Sequence, residues 1–412
     1  MLPSYSKVVV IGAGPSGSVA SALLNALGHQ VVVLEKSDFP RFSIGESLLP
    51  QSMQFLEQAN LLESVQQAGF QYKDGAAFVM GQTRGVFQFE DKFTPGWGTT
   101  FQVERSRFDQ VLADTAAEQG VEMHYGCEVV HIERNAATHQ SVLTVVQADG
   151  TSTQVETEFV LDASGFGRVL PRLLDLDTPS DFPVRHSLFV HMEDHISDDT
   201  FDRDKILIAV HPQCRDTWFW LIPLSDKKCS FGVVGKAAFF EQFDGNDTEV
   251  LTQIIATTEP LNVLLRQAEF LFAPRKLSGY SCNVTSLHGA GFALLGNAGE
   301  FLDPVFSSGV TIAVKSASLA VDVLNRQLMG ERVDWESEYA MPLMQGVDTF
   351  RCFVEAWYDG RLQDIIFTDN QNPDIKRMVC SILAGYAWDM ENPYVSDPKR
   401  RIHVLANLCR KD

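Results

Sequence analysis

The stretch KVVVIGAGPSGSVASALLNALGHQVVVLEKSDFP sets Gly12, Ala13, Gly14, Pro15, Ser16 and Gly17 between an apolar run and an Ala/Leu-rich one. Each glycine has a physical task. Gly12 makes a tight turn, Gly14 lets backbone approach a pyrophosphate, and Gly17 lets a helix pack closely on a strand. The helix that follows offers unpaired N–H groups and a partial positive charge to phosphates. Glu35 ends the next apolar strand eighteen positions beyond Gly17, where a carboxylate binds ribose hydroxyls. Strand, glycine turn, helix and acid together predict a dinucleotide site. A second group is TWFWLIPL, residues 217–224. At period two, Trp218 and Trp220 share one face, Phe219 and Leu221 share the other, and Pro223 ends the ladder. This pattern fits a sheet core or an aromatic wall beside a ligand. His191 and His195 in HMEDH have the types of a metal pair, but they fall on a strand and a turn, so no metal is expected.

A chain of 412 residues is long enough for two domains around the nucleotide unit. Its 53 acidic and 33 basic residues give a net charge of −20, which argues against nucleic acid or an anionic membrane as partner. The seven cysteines are scattered without a CxxC pair, as expected of reduced thiols in the cytoplasm. Neither a long apolar run nor a basic leader is present, so the expectation is no membrane span and no signal peptide.

Three further segments select FAD over a nicotinamide. VERSRFDQVL (103–112) carries Arg105 at the head of an amphipathic helix. FVLDASGFGRVL (159–170) is a strand ending in Asp162-Ala163-Ser164-Gly165. Residues 291–324 read as strand, loop and long helix. With these, the chain resembles the class A flavoprotein monooxygenase superfamily, whose fold is like that of p-hydroxybenzoate hydroxylase. The resemblance implies an α/β fold with a Rossmann-type FAD-binding domain, a second, sheet-rich substrate domain and a helical C-terminal region. The implied boundaries are 1–180 together with 275–330 for FAD, 181–274 with 71–99 for substrate, and 331–412 for the C-terminal region. It implies cofactor contacts from Lys36 and Arg41 beside Glu35, from Arg105 and Asp162, and from Gly296, Asn297, Asp303, Pro304, Gly309 and Val310. Asn297 departs from the family's usual Gly-Asp. It keeps a donor and an acceptor but lacks the charge.

Within that superfamily, PRFSIGESLLP (40–50), the Trp218/Trp220/Ile222/Pro223 signature, DPVFSSG (303–309) and Lys73 in FQYKDGAAF are similar to flavin-dependent halogenases of the phenol and pyrrole type. The resemblance implies reduced FAD supplied by a separate flavin reductase, a chloride or bromide ion, and an electron-rich aromatic substrate, free or tethered to an acyl carrier protein. Trp218 and Trp220 would keep that substrate off the flavin. Lys73 would hold hypohalous acid, its pKa lowered by burial. Ser308 and Gly309 would bind halide through backbone N–H groups, or simply form a turn against the flavin. Lys73 and the halide site are expected at opposite ends of one passage. Aromatics of 331–412 would line the pocket or pack on the core. Two other readings stay open. One is an FAD-dependent aromatic monooxygenase or an oxidoreductase like geranylgeranyl reductase; the other is a flavin-binding protein without turnover.

Overall fold

Val8, Val9 and Val10 are fully buried, as in a strand covered on both faces. In the computed structural model, which describes residues 2–135, 137–197, 201–368 and 372–410, their strand Tyr5–Ile11 is central to the first sheet. It pairs in parallel with Ser152–Asp162 on one side and Val31–Leu34 on the other. Phe292–Leu294 and Glu122–His124 extend the parallel region outward. The helices Pro15–Ala26, Arg105–Glu118 and Ser308–Leu328 cover the face of Val8 and Val10. The strands Cys127–Arg134 and Ser141–Gln147 join the same sheet antiparallel and fold over the face of Val9 and Ile11.

The second sheet runs in the order Glu269–Phe270, His186–Glu193, Lys228–Gly235, Cys214–Pro223, Lys205–His211, Gly75–Met80, Thr83–Gln88. Gly75–Met80 pairs in parallel with Lys205–His211, and the other neighbours are antiparallel. Residues 75–88 therefore lie far in sequence from most of the sheet they complete. Arg275–Ser278 pairs with His186–Glu193, so these four residues join this sheet and not the first, where the boundary at 275 had put them. The alternation read from TWFWLIPL holds. Trp218, Trp220 and Ile222 face the large core shared with the first sheet, while Phe219 and Leu221 face a smaller outer core.

Among the described residues beyond 331 the chain is mainly helical, with Met341–Tyr358, Arg361–Ile366, Pro373–Leu383 and Pro398–Cys409 as its main helices. Phe350, Phe353 and Trp357 are fully buried, so most of the first of these helices' aromatic side packs on the core. Tyr358, at its end, reaches the indole wall.

Candidate active site

A cavity of about 1000 Å³ extends from the glycine turn to the inner face of the second sheet. The turn forms one end of it, and two of its glycines are packed too closely to bear a side chain. A Cβ on Gly12, at φ 95°, would lie 2.7 Å from the Ala163 carbonyl, and one on Gly17 would lie 1.9 Å from the Gly12 carbonyl. Gly14 differs. Its nearest neighbour would be an Arg41 nitrogen at 3.6 Å, so its missing side chain opens onto the cavity. Gly12, Pro15 and Ser16 line the same wall, and Ala13 donates its N–H to Glu35 Oε2 at 2.9 Å.

Charge converges on this end. Glu35 is buried and holds Arg41 at 3.5 Å, while Lys36 lies on the wall with an exposed partner in Glu128. Asp109, fully buried on the helix Arg105–Glu118, binds Arg41 at 3.2 Å and Arg105 at 2.8 Å. Arg105 also donates to the Ile44 carbonyl and so ties that helix to the segment 40–50. Two helices point bare N-termini at this space. Neither Pro15–Ala26 nor Ser308–Leu328 has a capping side chain or an acid in its first turn, so their first amides remain free for an anion. A cavity of this size, with a buried carboxylate at the end of the second strand, two guanidinium groups and two sets of free amides, fits FAD.

The second half of the expected site divides. Asn297, Pro304, Gly309 and Val310 line the cavity. Asp162, Gly296, Asp303 and Ser308 do not, and each is occupied elsewhere. Asp162 accepts from the amides of Ser164 and Leu170, which shapes the 163–165 turn that does reach the wall. Gly296, at φ 51°, lets Ala313 approach to where its Cβ would be. Asp303 caps Val305 N at 3.0 Å and takes a hydrogen bond from the Tyr358 hydroxyl at 2.9 Å. Burial pushes its carboxyl up to about 6, against the opposing pull of Val305 N, Tyr358 and Arg185. Ser308 is buried in the first helical turn, and Ser307, in the left-handed conformation at φ 57°, takes its place on the wall.

Trp218, Trp220 and Ile222 line the cavity from the second sheet, while Pro223 pairs with Cys229 at the strand's end. The two indole rings lie 6.0 Å apart, with Nε1 of Trp218 on Tyr358 and Nε1 of Trp220 on Ser230. Trp220 fits because residue 232 is glycine; a Cβ there would meet the ring at 2.3 Å.

Lys73 is 1% exposed on the short strand Gln71–Lys73. Its ammonium donates to Ser47 Oγ at 2.8 Å and to the Leu48 carbonyl at 2.7 Å, and it faces the Phe89 ring. With no carboxylate partner among the described residues, burial lowers its pKa to about 7. It does not line the cavity, which corrects the expected open passage: Ser47 is on the wall, and Lys73 stands directly behind it. Beside Ser47, Glu46 also lines the cavity. One of its oxygens binds His191 Nε2 at 2.5 Å, and the other is buried without a partner. Burial pulls the His191 pKa down, but the hydrogen bond and charge of Glu46 outweigh that and raise it. His195 parts from His191 and lies exposed beside Glu193, so the two do not converge. Sequence reasoning missed Glu46, Asp109 and Tyr358. Glu46 lay inside the quoted GESLLP segment, which was a usable signal. Asp109 lay four positions after Arg105 on the expected helix, and Tyr358 among the aromatics of 331–412, but neither was singled out.

Residues 5–261 match the FAD binding domain family. Among relatives, the 1H-pyrrole-2-carbonyl-[peptidyl-carrier protein] chlorinase of Pseudomonas fluorescens is 28% identical, over 96% of this chain and 92% of its own. The corresponding brominase of Pseudoalteromonas luteoviolacea is also 28% identical, over 93% of each. The crystal structure of a flavoprotein/dehydrogenase from Cytophaga hutchinsonii matches with a TM-score of 0.95 at 43% identity, over 98% of each chain. The chain belongs to the FAD-binding flavoproteins and, within them, to the flavin-dependent halogenase family, and FAD is its cofactor.

Proposed function

We propose that this protein uses reduced FAD, oxygen and a halide to halogenate an electron-rich aromatic substrate through hypohalous acid. The observation that carries this reading is a buried lysine, without a carboxylate partner among the described residues, behind a cavity whose sheet side is walled by two indoles. Reduced FAD, with oxygen, supplies the oxidising equivalent that turns halide into hypohalous acid. The chain does the rest. Gly12 to Gly17, Glu35, Lys36, Arg41 and Arg105 hold the cofactor's nucleotide end, and Asn297, Pro304, Gly309 and Val310 hold the other. Asp162, Gly296 and Asp303 shape the loops between. The free amides at Gly309, behind Ser307 and Ser308, attract halide.

Trp218 and Trp220, backed by Ile222 and Pro223, keep a phenolic or pyrrole-like substrate from the cofactor and exclude water. Lys73 receives hypohalous acid through Ser47. Its pKa near neutrality lets the amine hydrogen-bond the acid or give up a proton at physiological pH. As halogen bonds to carbon, the hydroxyl leaves as water with the proton displaced from the arene. A separate flavin reductase supplies reduced FAD, since the one glycine fingerprint serves FAD. The named substrates of the two pyrrole relatives favour an arene tethered to a carrier protein. We assign FAD binding to 1–180 with 279–330, substrate binding to 181–278 with 71–99, and support to 331–412, in the cytoplasm.

The test is halogenation of a hypohalous-acid scavenger. It should require reduced FAD, oxygen and chloride or bromide together, and halide-independent flavin oxidation without halogenated scavenger would defeat the reading. The dehydrogenase description of the Cytophaga protein favours a second reading, an oxidoreductase without halogen transfer. That reading predicts substrate oxidation or a hydroxylated product and no halide requirement.

A further inference from the structure

The C-terminal helix Met341–Tyr358 supports the proposed site at two points that are distant in sequence. Phe306, in the 304–306 turn, packs edge-on against Trp357 and Phe353. The Tyr358 hydroxyl accepts from Trp218 Nε1 at 3.0 Å and donates to Asp303 Oδ2 at 2.9 Å. Asp303 in turn caps the turn that leads into Ser307 and the helix Ser308–Leu328. One hydroxyl therefore joins the indole wall to the loop that faces the cofactor. Trp218 and Asp303 are buried and Tyr358 is largely enclosed between them, so both bonds lie mostly out of solvent.

We propose that Tyr358 is a positioning residue that fixes the plane of the Trp218 indole relative to the 303–307 turn, and so keeps the barrier closed while the cofactor is oxidised. This rests on Trp218 being the barrier proposed above. The alternative, that Tyr358 only fills space, leaves its hydroxyl without a task. Its ring is already held from the other side by the Arg185 guanidinium, 3.3 Å from the ring centre. The charged and titratable groups facing Asp303 are Arg185, Tyr280 and Tyr358 itself. With Asp303 ionised, the hydroxyl's donated bond is charge-assisted and the chain from Trp218 is at its strongest. Protonation of Asp303, near pH 6, weakens it.

Tyr358→Phe removes only the oxygen and keeps the ring under Arg185. In the FAD-bound enzyme, ultraviolet resonance Raman reports indole N–H hydrogen bonding, and a Trp218→Phe spectrum identifies the Trp218 contribution. Wild type should show a bonded Trp218 N–H at pH 7.5 that weakens as pH falls through about 6. Tyr358→Phe should show a free N–H at every pH. Halogenated product per flavin oxidised should fall about five- to twentyfold in the variant, the equivalent of one lost hydrogen bond, with FAD affinity unchanged. Asp303→Asn keeps an acceptor for the Tyr358 hydroxyl but removes the titrating carboxyl, and should abolish the pH response of the Trp218 signal. It decides the matter if Tyr358→Phe does not fold. An unaltered Trp218 signal in Tyr358→Phe, or a pH response that survives Asp303→Asn, overturns the proposal. If wild type makes no halogenated product, the halogenase reading fails, while the Raman signal and its pH midpoint still decide the role of Tyr358.

Discussion

Lys73→Met replaces a buried ammonium with an apolar chain of similar length, and the structure sets both sides of its energy. A pKa of about 7 in the fold against the usual 10.5 corresponds to about 5 kcal/mol of unfavourable desolvation whenever both states are charged. Removing the ammonium also leaves Ser47 Oγ and the Leu48 carbonyl without a donor, at a cost of about 1–3 kcal/mol each. Near pH 7 the two effects roughly cancel. The pH dependence does not cancel. Below pH 7 the lysine is charged in both folded and unfolded chains, and its full penalty stands. Above pH 7 the folded lysine loses its proton first, so the unfolded chain binds more protons and wild type gains stability until about pH 10.5. Relative to Lys73→Met, wild type should gain about 1.4 kcal/mol per pH unit across that window. Urea unfolding of both proteins at pH 7.5 and 9.5, at matched FAD saturation, measures the difference. A difference constant within error would mean that the ammonium is not desolvated, and the account of Lys73 would fall with it.

Gly14→Val should fold with wild-type stability yet purify without flavin, because its side chain enters the open cavity, whereas Gly17→Ala should unfold or aggregate because its Cβ meets the Gly12 carbonyl. Flavin absorbance and circular dichroism of the two variants check both statements. Trp220→Ala should lose about 3–5 kcal/mol in thermal or urea unfolding. If it folds, it should release more peroxide or hydroxylated product per flavin oxidised; no change would return the indole to plain packing. Lys73→Ala should keep flavin oxidation and halogenation of a scavenger while losing about 10²- to 10⁴-fold in arene halogenation. Wild-type arene rates would remove Lys73 from the reaction.

The parts of the site that are local in sequence were readable from it. The glycine turn and Glu35 lie within one strand–helix–strand unit, and alternation in TWFWLIPL is a property of a single strand. The family resemblance supplied Lys73, and its burial follows the reading, but its distance from open cavity space did not. That distance depends on Ser47, which meets Lys73 only because Ser47 bridges to Gln102 and Gln71–Lys73 pairs with Thr100–Gln102. Ser308 is expected at the halide site, yet the left-handed turn at Ser307 rotates it inward, a one-residue shift that no composition signals. The links Glu46–His191, Arg41–Asp109 and Trp218–Tyr358 span 145, 68 and 140 positions. Each needs the tertiary fold before its partner is visible. The strand Gly75–Met80 entered the second sheet across a similar gap, and there the resemblance had already assigned it.

The most direct measurement is the product mass from the enzyme supplied with a flavin reductase, NADH, FAD and oxygen. A panel of phenols and pyrroles is presented free and as carrier-protein thioesters, with and without bromide. The account requires the paired isotope pattern of one bromine on at least one electron-rich arene, present only with bromide and reductase. NADH should be consumed only slowly when the reductase is left out. A product heavier by one oxygen, or arene oxidation indifferent to halide, would contradict it and establish an ordinary flavin oxidoreductase.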